Sequence, residues 1–302
     1  DGGVDGDSLI GGDGADQLAG GSEADTLLGG AGDDYLDGGL GVDSIDGGLD
    51  FNVLQVIGSD EADTITAVPA GAGSIALSVG SESDTVSAVE YLEVWGFGGH
   101  DSITIDELLN VDVSLDGGDG DDTLLAGHGS DILTGGAGND SLNGRAGFDT
   151  VRFVGTEFDD AFTGTVNDTG WLQLTVGTES DTAENVDEVF VNTAAGNDSV
   201  LVTFDLLAPA IGLWLEGRAG DDTLVGGPAS DFLYGGGGID SLDGAGGDDT
   251  LFGGSGDDSL QAGDGNDYVL GTTGDDSVLA GAGNDTVLGG DGFATILGEA
   301  GD

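Results

Sequence analysis

The chain has 302 residues, 60 of them acidic and three basic, for a formal net charge of −57 at pH 7. A field of that sign excludes nucleic acid and anionic membrane surfaces as partners, and it keeps a chain expanded unless counter-charge is bound. Cysteine is absent, which removes disulfides, zinc-thiolate sites and thiol nucleophiles. The hydrophobic fraction of 37% is evenly placed and argues for an ordered structure. No apolar run is long enough to span a bilayer, and the start at Asp1, with no initiator methionine or apolar leader, reads as a mature form or an excerpt.

The first 55 residues read in nines from Gly2: GGVDGDSLI, GGDGADQLA, GGSEADTLL, GGAGDDYLD, GGLGVDSID. Aspartate returns every ninth residue at Asp7, Asp16, Asp25, Asp34 and Asp43, each followed two places later by a large aliphatic residue. Residues 56–112 are degenerate. They keep an aspartate and its aliphatic follower only at Asp63, Asp84 and Asp101, and between them SIALSV and VDVSL alternate with the period of a strand. The regular register resumes over 113–154, with Asp122, Asp131, Asp140 and Asp149, and lapses again over 155–212, where Asp160, Asp181 and Asp198 remain. It then runs over 213–302 with Asp222, Asp231, Asp240, Asp249, Asp258, Asp267, Asp276 and Asp285.

A longer duplication overlies the short repeat. DFNVLQVIGS from Asp50 aligns with GFDTVRFVGT from Gly147, and VGSESDT from Val79 with VGTESDT from Val176, at a constant offset of 97 residues. The offset grows to 100 where LDGGDGDDTL from Leu115 meets LEGRAGDDTL from Leu215, placing a three-residue insertion near Pro209. The degenerate stretches are expected to be coils of the same solenoid with longer loops.

These nonapeptides resemble the RTX, or hemolysin-type, calcium-binding repeat, GGxGxDxUx with U a large aliphatic residue. The resemblance implies an all-β fold, a right-handed parallel β-roll or β-solenoid in which regular rolls alternate with degenerate β-helical coils. It also implies multiple Ca²⁺ ions, each between successive loops on one edge, held by the aspartate of one turn and carbonyls of a neighbour. The chemistry is coherent: glycine leaves room for carbonyls to converge and reaches positive φ, while aspartate supplies a hard oxygen to a cation that takes six to eight of them. Two nonapeptides make a coil, so Asp7, Asp25 and Asp43 share one edge and Asp16 and Asp34 the other. The regular-repeat aspartates named above are the expected ligands. Asp63, Asp84, Asp101, Asp160, Asp181 and Asp198 are secondary candidates. Glu23, Glu61, Glu82 and Glu179 stand where the third glycine belongs and should resist positive φ. Asn52 and Ala294 occupy aspartate positions and should weaken or abolish a site. The rival reading of every such turn is an Asx-turn without metal.

Other features point nowhere specific. His100 and His128 read as solvated loop residues, Trp95, Trp171 and Trp214 as buried packing, and Arg145 and Arg218 as partners of nearby carboxylates. No HExxH, GxSxG or Walker motif is present, so no enzymatic activity and no small-molecule substrate are expected. The expected function is a calcium-rigidified extracellular rod, part of a large bacterial surface, matrix or filament protein that folds after export. The alternatives are the secretion and folding module of an RTX enzyme or toxin, or an adhesin-type binding module. No capping element is visible at either end, so further repeats or other copies are expected end to end. At ~18 residues and ~4.8 Å per coil the chain would span roughly 80 Å if every segment coils.

Overall fold

Each nonapeptide supplies a short strand whose middle aliphatic side chain faces inward and a glycine-rich turn that carries the chain across, so successive strands fall on two facing sheets. The computed structural model describes residues 1–205 and 208–298, and among these every regular element is a β-strand. The chain divides into two compact units, Asp1–Thr150 and Val151–Asp302.

In the first unit, strands Ser8–Asp13, Thr26–Ala31 and Ser44–Leu49 stack in parallel on one side, and Gln17–Ser22, Tyr35–Leu40 and Val53–Ile57 on the other. Leu27 lies beside Ile45 and Leu36 beside Leu54, and all four are buried between the sheets. Tyr91–Trp95, Asp112–Asp119 and Ile132–Ala137 extend the second sheet without interruption.

The first sheet departs from the expected simple coil. Thr64–Gly71, Ser74–Val79 and Glu82–Ser87 form an antiparallel meander, whose last strand joins Ser44–Leu49 in parallel and whose first joins Ser102–Ile105. The reason is local: Ala72 and Gly73, at φ of 56° and 84°, make a two-residue hairpin turn with both φ positive. The chain therefore doubles back before it rejoins the stack. SIALSV is a strand, as its alternation predicts, but it runs against its neighbours.

The second unit repeats this plan. Ala161–Val166, Leu172–Val176 and Glu179–Glu184 are antiparallel to one another, and Ala161–Val166 pairs in parallel with Ser199–Phe204. Regular stacking follows. Thr223–Val225, Ser241–Asp243, Ser259–Asp264, Ser277–Ala282 and Thr295–Leu297 extend one side. Gly212–Ala219, Phe232–Gly237, Thr250–Ser255, Tyr268–Thr273 and Thr286–Leu288 form the other. Leu224, Leu233, Leu242, Leu251, Leu260, Val269 and Val278 are the buried row. The partial nonapeptide from Gly298 lies outside the described residues beyond that glycine. Because the two meanders are not coils, the 80 Å reckoning from residue number loses its premise.

The tryptophan expectation fails at two positions. Trp95 and Trp214 are 40% and 38% exposed, because Leu92 and Val94, and Leu213 and Leu215, take the inward positions of their strands. Trp214 belongs to an outward row in which Phe190, Trp214, Phe232, Phe252 and Tyr268 meet ring to ring with centroids 4.9–6.0 Å apart. Arg152 lies 5.1 Å over the Phe190 ring at its end.

Leu251→Ala opens a void in the fully buried row and is expected to lower the stability of the calcium-saturated protein by roughly 2–5 kcal/mol. The outward-facing Gln261→Ala on a neighbouring strand should stay within about 0.5 kcal/mol. Denaturant midpoints at fixed calcium check the difference.

Candidate metal centres

The aspartate side chains bind the coils to one another before any ion is considered. The N–H of Asp25 donates to Oδ1 of Asp43, 18 residues on, at 2.8 Å, and the same bond links Asp240 to Asp258 and Asp249 to Asp267 at 2.9 Å. These bonds form ladders along each edge: Asp7 to Asp25 to Asp43 to Asp84, and Asp222 to Asp240 to Asp258 to Asp276. Asp231, Asp249, Asp267 and Asp285 make another. Asp101, Asp122 and Asp140 continue from Asp63, and Asp149 follows Asp131. The spacing widens to 38 or 41 residues across a meander. It is 21 from Asp101 to Asp122 and 24 from Asp198 to Asp222, the three-residue difference that the sequence places near Pro209.

One carboxylate oxygen is thereby committed to the fold, and the other is left over. Oδ2 of Asp16, Asp25, Asp34, Asp43, Asp101, Asp122 and Asp198 is buried and accepts no hydrogen bond, and so is that of Asp222, Asp240, Asp249, Asp258, Asp267 and Asp276. A buried charged oxygen without a partner costs several kcal/mol unless something positive satisfies it. The position that a side chain on Gly244 would fill lies 2.5 Å from both Oδ2 of Asp249 and the carbonyl oxygen of Ala262 on the next coil. At Gly253 the same point lies 2.5 Å from Oδ2 of Asp258 and 2.9 Å from the carbonyl oxygen of Gly271. Among the described residues no three acidic or histidine side chains converge, so each centre rests on one carboxylate with backbone carbonyls. An oxygen-only set of this kind suits calcium.

Three turns are built differently. Oδ2 of Asp63 accepts the N–H and hydroxyl of Ser59, at 2.6 and 2.9 Å, and Oδ2 of Asp160 accepts those of Thr156, at 2.6 and 3.0 Å. Asp231 accepts the N–H of Gly227 at 2.5 Å, whereas Oδ2 of Asp131 is buried without a hydrogen-bond partner. At Asp63, Asp160 and Asp231 the carboxylate accepts the N–H four residues before it and closes its own loop, a different bond from the Asx-turn, which runs to the N–H two residues on. Asp84 and Asp181 lie within strands Glu82–Ser87 and Glu179–Glu184 and not in glycine turns.

Protein groups fill the cation's place elsewhere. The buried Asn52 accepts the Asp34 N–H at 3.1 Å and donates its amide to the Ala88 carbonyl at 3.1 Å. The hydroxyl of Thr193 donates to the Gly217 carbonyl at 2.9 Å. Arg145, expected beside a carboxylate, instead donates to the carbonyls of Ile105 and Ala126 at 2.5 and 2.8 Å. Arg218 does pair with Glu216 at 3.0 Å, in an exposed position where such a bridge adds little. Glu23 adopts positive φ (73°) despite its side chain. Glu82 reaches back to accept the Gly41 N–H at 3.0 Å. His100 and His128 are exposed, and His100 accepts the Asp121 N–H through Nδ1 at 2.8 Å.

A stack of glycine-aspartate turns in which many carboxylates keep a spare buried oxygen defines a calcium-binding β-solenoid. The family model of the RTX calcium-binding nonapeptide repeat matches residues 1–27, 19–54, 116–151, 214–242, 225–260, 243–278 and 261–296, more than half of the chain. The chain belongs to that family and binds Ca²⁺ through its repeats. Both meanders fall outside the matched residues. A search of curated proteins returned no match.

Two predictions follow from the oxygen geometry. Asp249→Ala is expected to reduce the calcium bound per chain and raise the calcium midpoint of folding several-fold. Asp63→Ala should leave the calcium count unchanged and cost about 1 kcal/mol of turn hydrogen bonding; equilibrium dialysis with metal analysis separates them.

The second concerns pH. Burial pushes Asp131, Asp240 and Asp249 up to about 7, and Asp84, Asp222 and Asp231 up to about 6, against a reference near 4. The calcium-free fold thus holds more protons than the unfolded chain between those limits. Its stability is greatest below the unfolded value and falls as pH rises through the folded values. Calcium needs the protons gone, so its affinity rises across the same window. Acid therefore differs from chelation, since it removes ion and charge together. In chelator, the β-sheet circular dichroism signal should strengthen as pH falls from 7 towards 4, while the calcium midpoint should drop as pH rises; a chelator signal that grows with pH would contradict this.

Proposed function

We propose that the chain is a structural element that folds outside the cell on meeting calcium and serves as a rigid segment of a larger bacterial surface, matrix or filament protein. The single observation that carries the reading is that one aspartate after another gives one oxygen to the neighbouring coil and buries the other without a protein partner. It makes order along the stack conditional on calcium. The ligands in this reading are Asp7, Asp16, Asp25, Asp34, Asp43, Asp122, Asp131, Asp140, Asp149, Asp222, Asp240, Asp249, Asp258, Asp267, Asp276 and Asp285, with Asp101 of the irregular stretches and loop carbonyls. Extracellular modules of this kind bind calcium in the range of about 10⁻⁴ to 10⁻³ M, so a calcium-poor cytosol leaves the chain open for export. The family's repeats are structural and binding elements, which supports a non-catalytic role, and no helix among the described residues is long and apolar enough to cross a membrane.

Parallel coils present unpaired strand edges along the stacking direction, and such edges recruit further strands. In millimolar calcium the chain is expected to gain a cooperative β-sheet signal and to associate lengthwise, both reversed by chelator. Circular dichroism with light scattering and electron microscopy reads the two effects. Equal folding in excess chelator would remove the calcium-gated role, and compact monomers at millimolar calcium would remove the end-to-end role alone.

A further inference from the structure

The meander of the first unit leaves an opening that no regular coil has. Strand Glu82–Ser87 enters the stack from a hairpin, so the glycine loop that would otherwise cross from the opposite sheet is missing at its level. A cavity of about 190 Å³ lies there. Its apolar wall is formed by Leu54, Val56, Leu77 and Val79, the first three buried. A void of roughly 150 Å³ lined by aliphatic side chains takes up a benzene-sized body, so this one has room for a small apolar group.

Its polar side is acidic. Asp37, Glu82 and Asp84 line it, and each has one oxygen fixed by a backbone N–H, from Gly39 at 2.9 Å, Gly41 at 3.0 Å and Asp43 at 2.8 Å. The other oxygens face no basic residue, because the three arginines of the chain, Arg145, Arg152 and Arg218, are not among the lining residues. The carboxylates do not converge as a metal cluster does. Asp37 comes from strand Tyr35–Leu40 of one sheet and Glu82 and Asp84 from Glu82–Ser87 of the other, an arrangement that suits a cation whose several donors point in different directions. A second copy of this chain has almost no positive charge to offer, so the complementary charge must come from another molecule.

We propose that this cavity binds a small organic cation with an apolar body, an alkyl- or arylalkylammonium. The body packs against Leu77, Val79, Leu54 and Val56, and the ammonium donates to Glu82 and Asp84.

The test is a methyl NMR titration of the full chain in millimolar calcium with phenethylammonium, its neutral analogue 2-phenylethanol and its anionic analogue 3-phenylpropionate, with bound calcium measured in parallel. Phenethylammonium is expected to shift the methyls of Leu77 and Val79 saturably, to bind at least ten-fold more tightly than the alcohol, and to release no calcium; the carboxylate should leave the methyls unmoved. Glu82→Gln with Asp84→Asn should weaken binding at least ten-fold. Leu77→Phe, which fills the hollow and leaves every carboxylate in place, should abolish it, and it provides the readout if the double variant does not fold. Equal affinity for the alcohol, shifts that track calcium release, or no saturable shift at these two methyls would each overturn the proposal.

Discussion

The structure depends on a division of labour within one carboxylate. In most ladder aspartates, such as Asp240, Asp258 and Asp267, Oδ1 receives the N–H of the aspartate one coil earlier while Oδ2 is buried without a protein partner. Neither half suffices. Hydrogen bonds alone would align the turns while leaving a row of desolvated negative oxygens, whose cost exceeds what a single bond of about 1 kcal/mol returns. A cation alone would have no ordered carbonyls to meet, since those are positioned by the strand register and by glycines whose missing side chains leave the space open. Metal binding and the stability of the fold are therefore coupled. The thin double row of Leu, Ile and Val between the sheets supplies cohesion that the charged edges permit only once they are neutralised.

The internal duplication acts as a control on which features the fold requires. Where the second unit presents Phe190, Trp214 and Phe232 outward, the aligned positions of the first unit carry Glu93, Ser114 and Ile132. The strand register is the same in both, Glu93 facing Ser114 and Phe190 facing Trp214. Outer-face aromatics are thus not needed to form the sheet. Cross-strand ring contacts add stability where they occur, and Arg152 over Phe190 gives one of the three cations a place away from the carboxylate edges.

Much of this was legible in the sequence, because a period of nine leaves few alternatives for residues that recur in it. The buried row from Leu224 to Val278, the two edges and the three-residue insertion all follow from counting. The meanders did not follow, because VGSESDTVS imitates a nonapeptide while Gly80 and Ser81 form a hairpin turn; the readable signal was the Gly71-Ala72-Gly73 turn just upstream. The outward tryptophans were readable from strand parity in YLEVW and LWL. At Asp63 and Asp160 the cue was a hydroxyl residue, Ser59 or Thr156, in place of the second glycine. Asp231 closes its turn on Gly227, and the cue there was Pro228 and Ala229, the latter where the third glycine belongs.

The protein groups that replace a cation fall where regular rolls meet irregular stretches. Asn52 ends the first roll, Arg145 lies at the end of the second, and Thr193 follows the second meander. At these places a side-chain donor reaches a carbonyl 36, 19 or 24 residues away in sequence. An amide, a guanidinium or a hydroxyl donating to the available carbonyl satisfies it without an ion. The irregular stretches thus interrupt turns that carry a buried, unpartnered carboxylate oxygen with turns whose carbonyls meet donors from the chain itself.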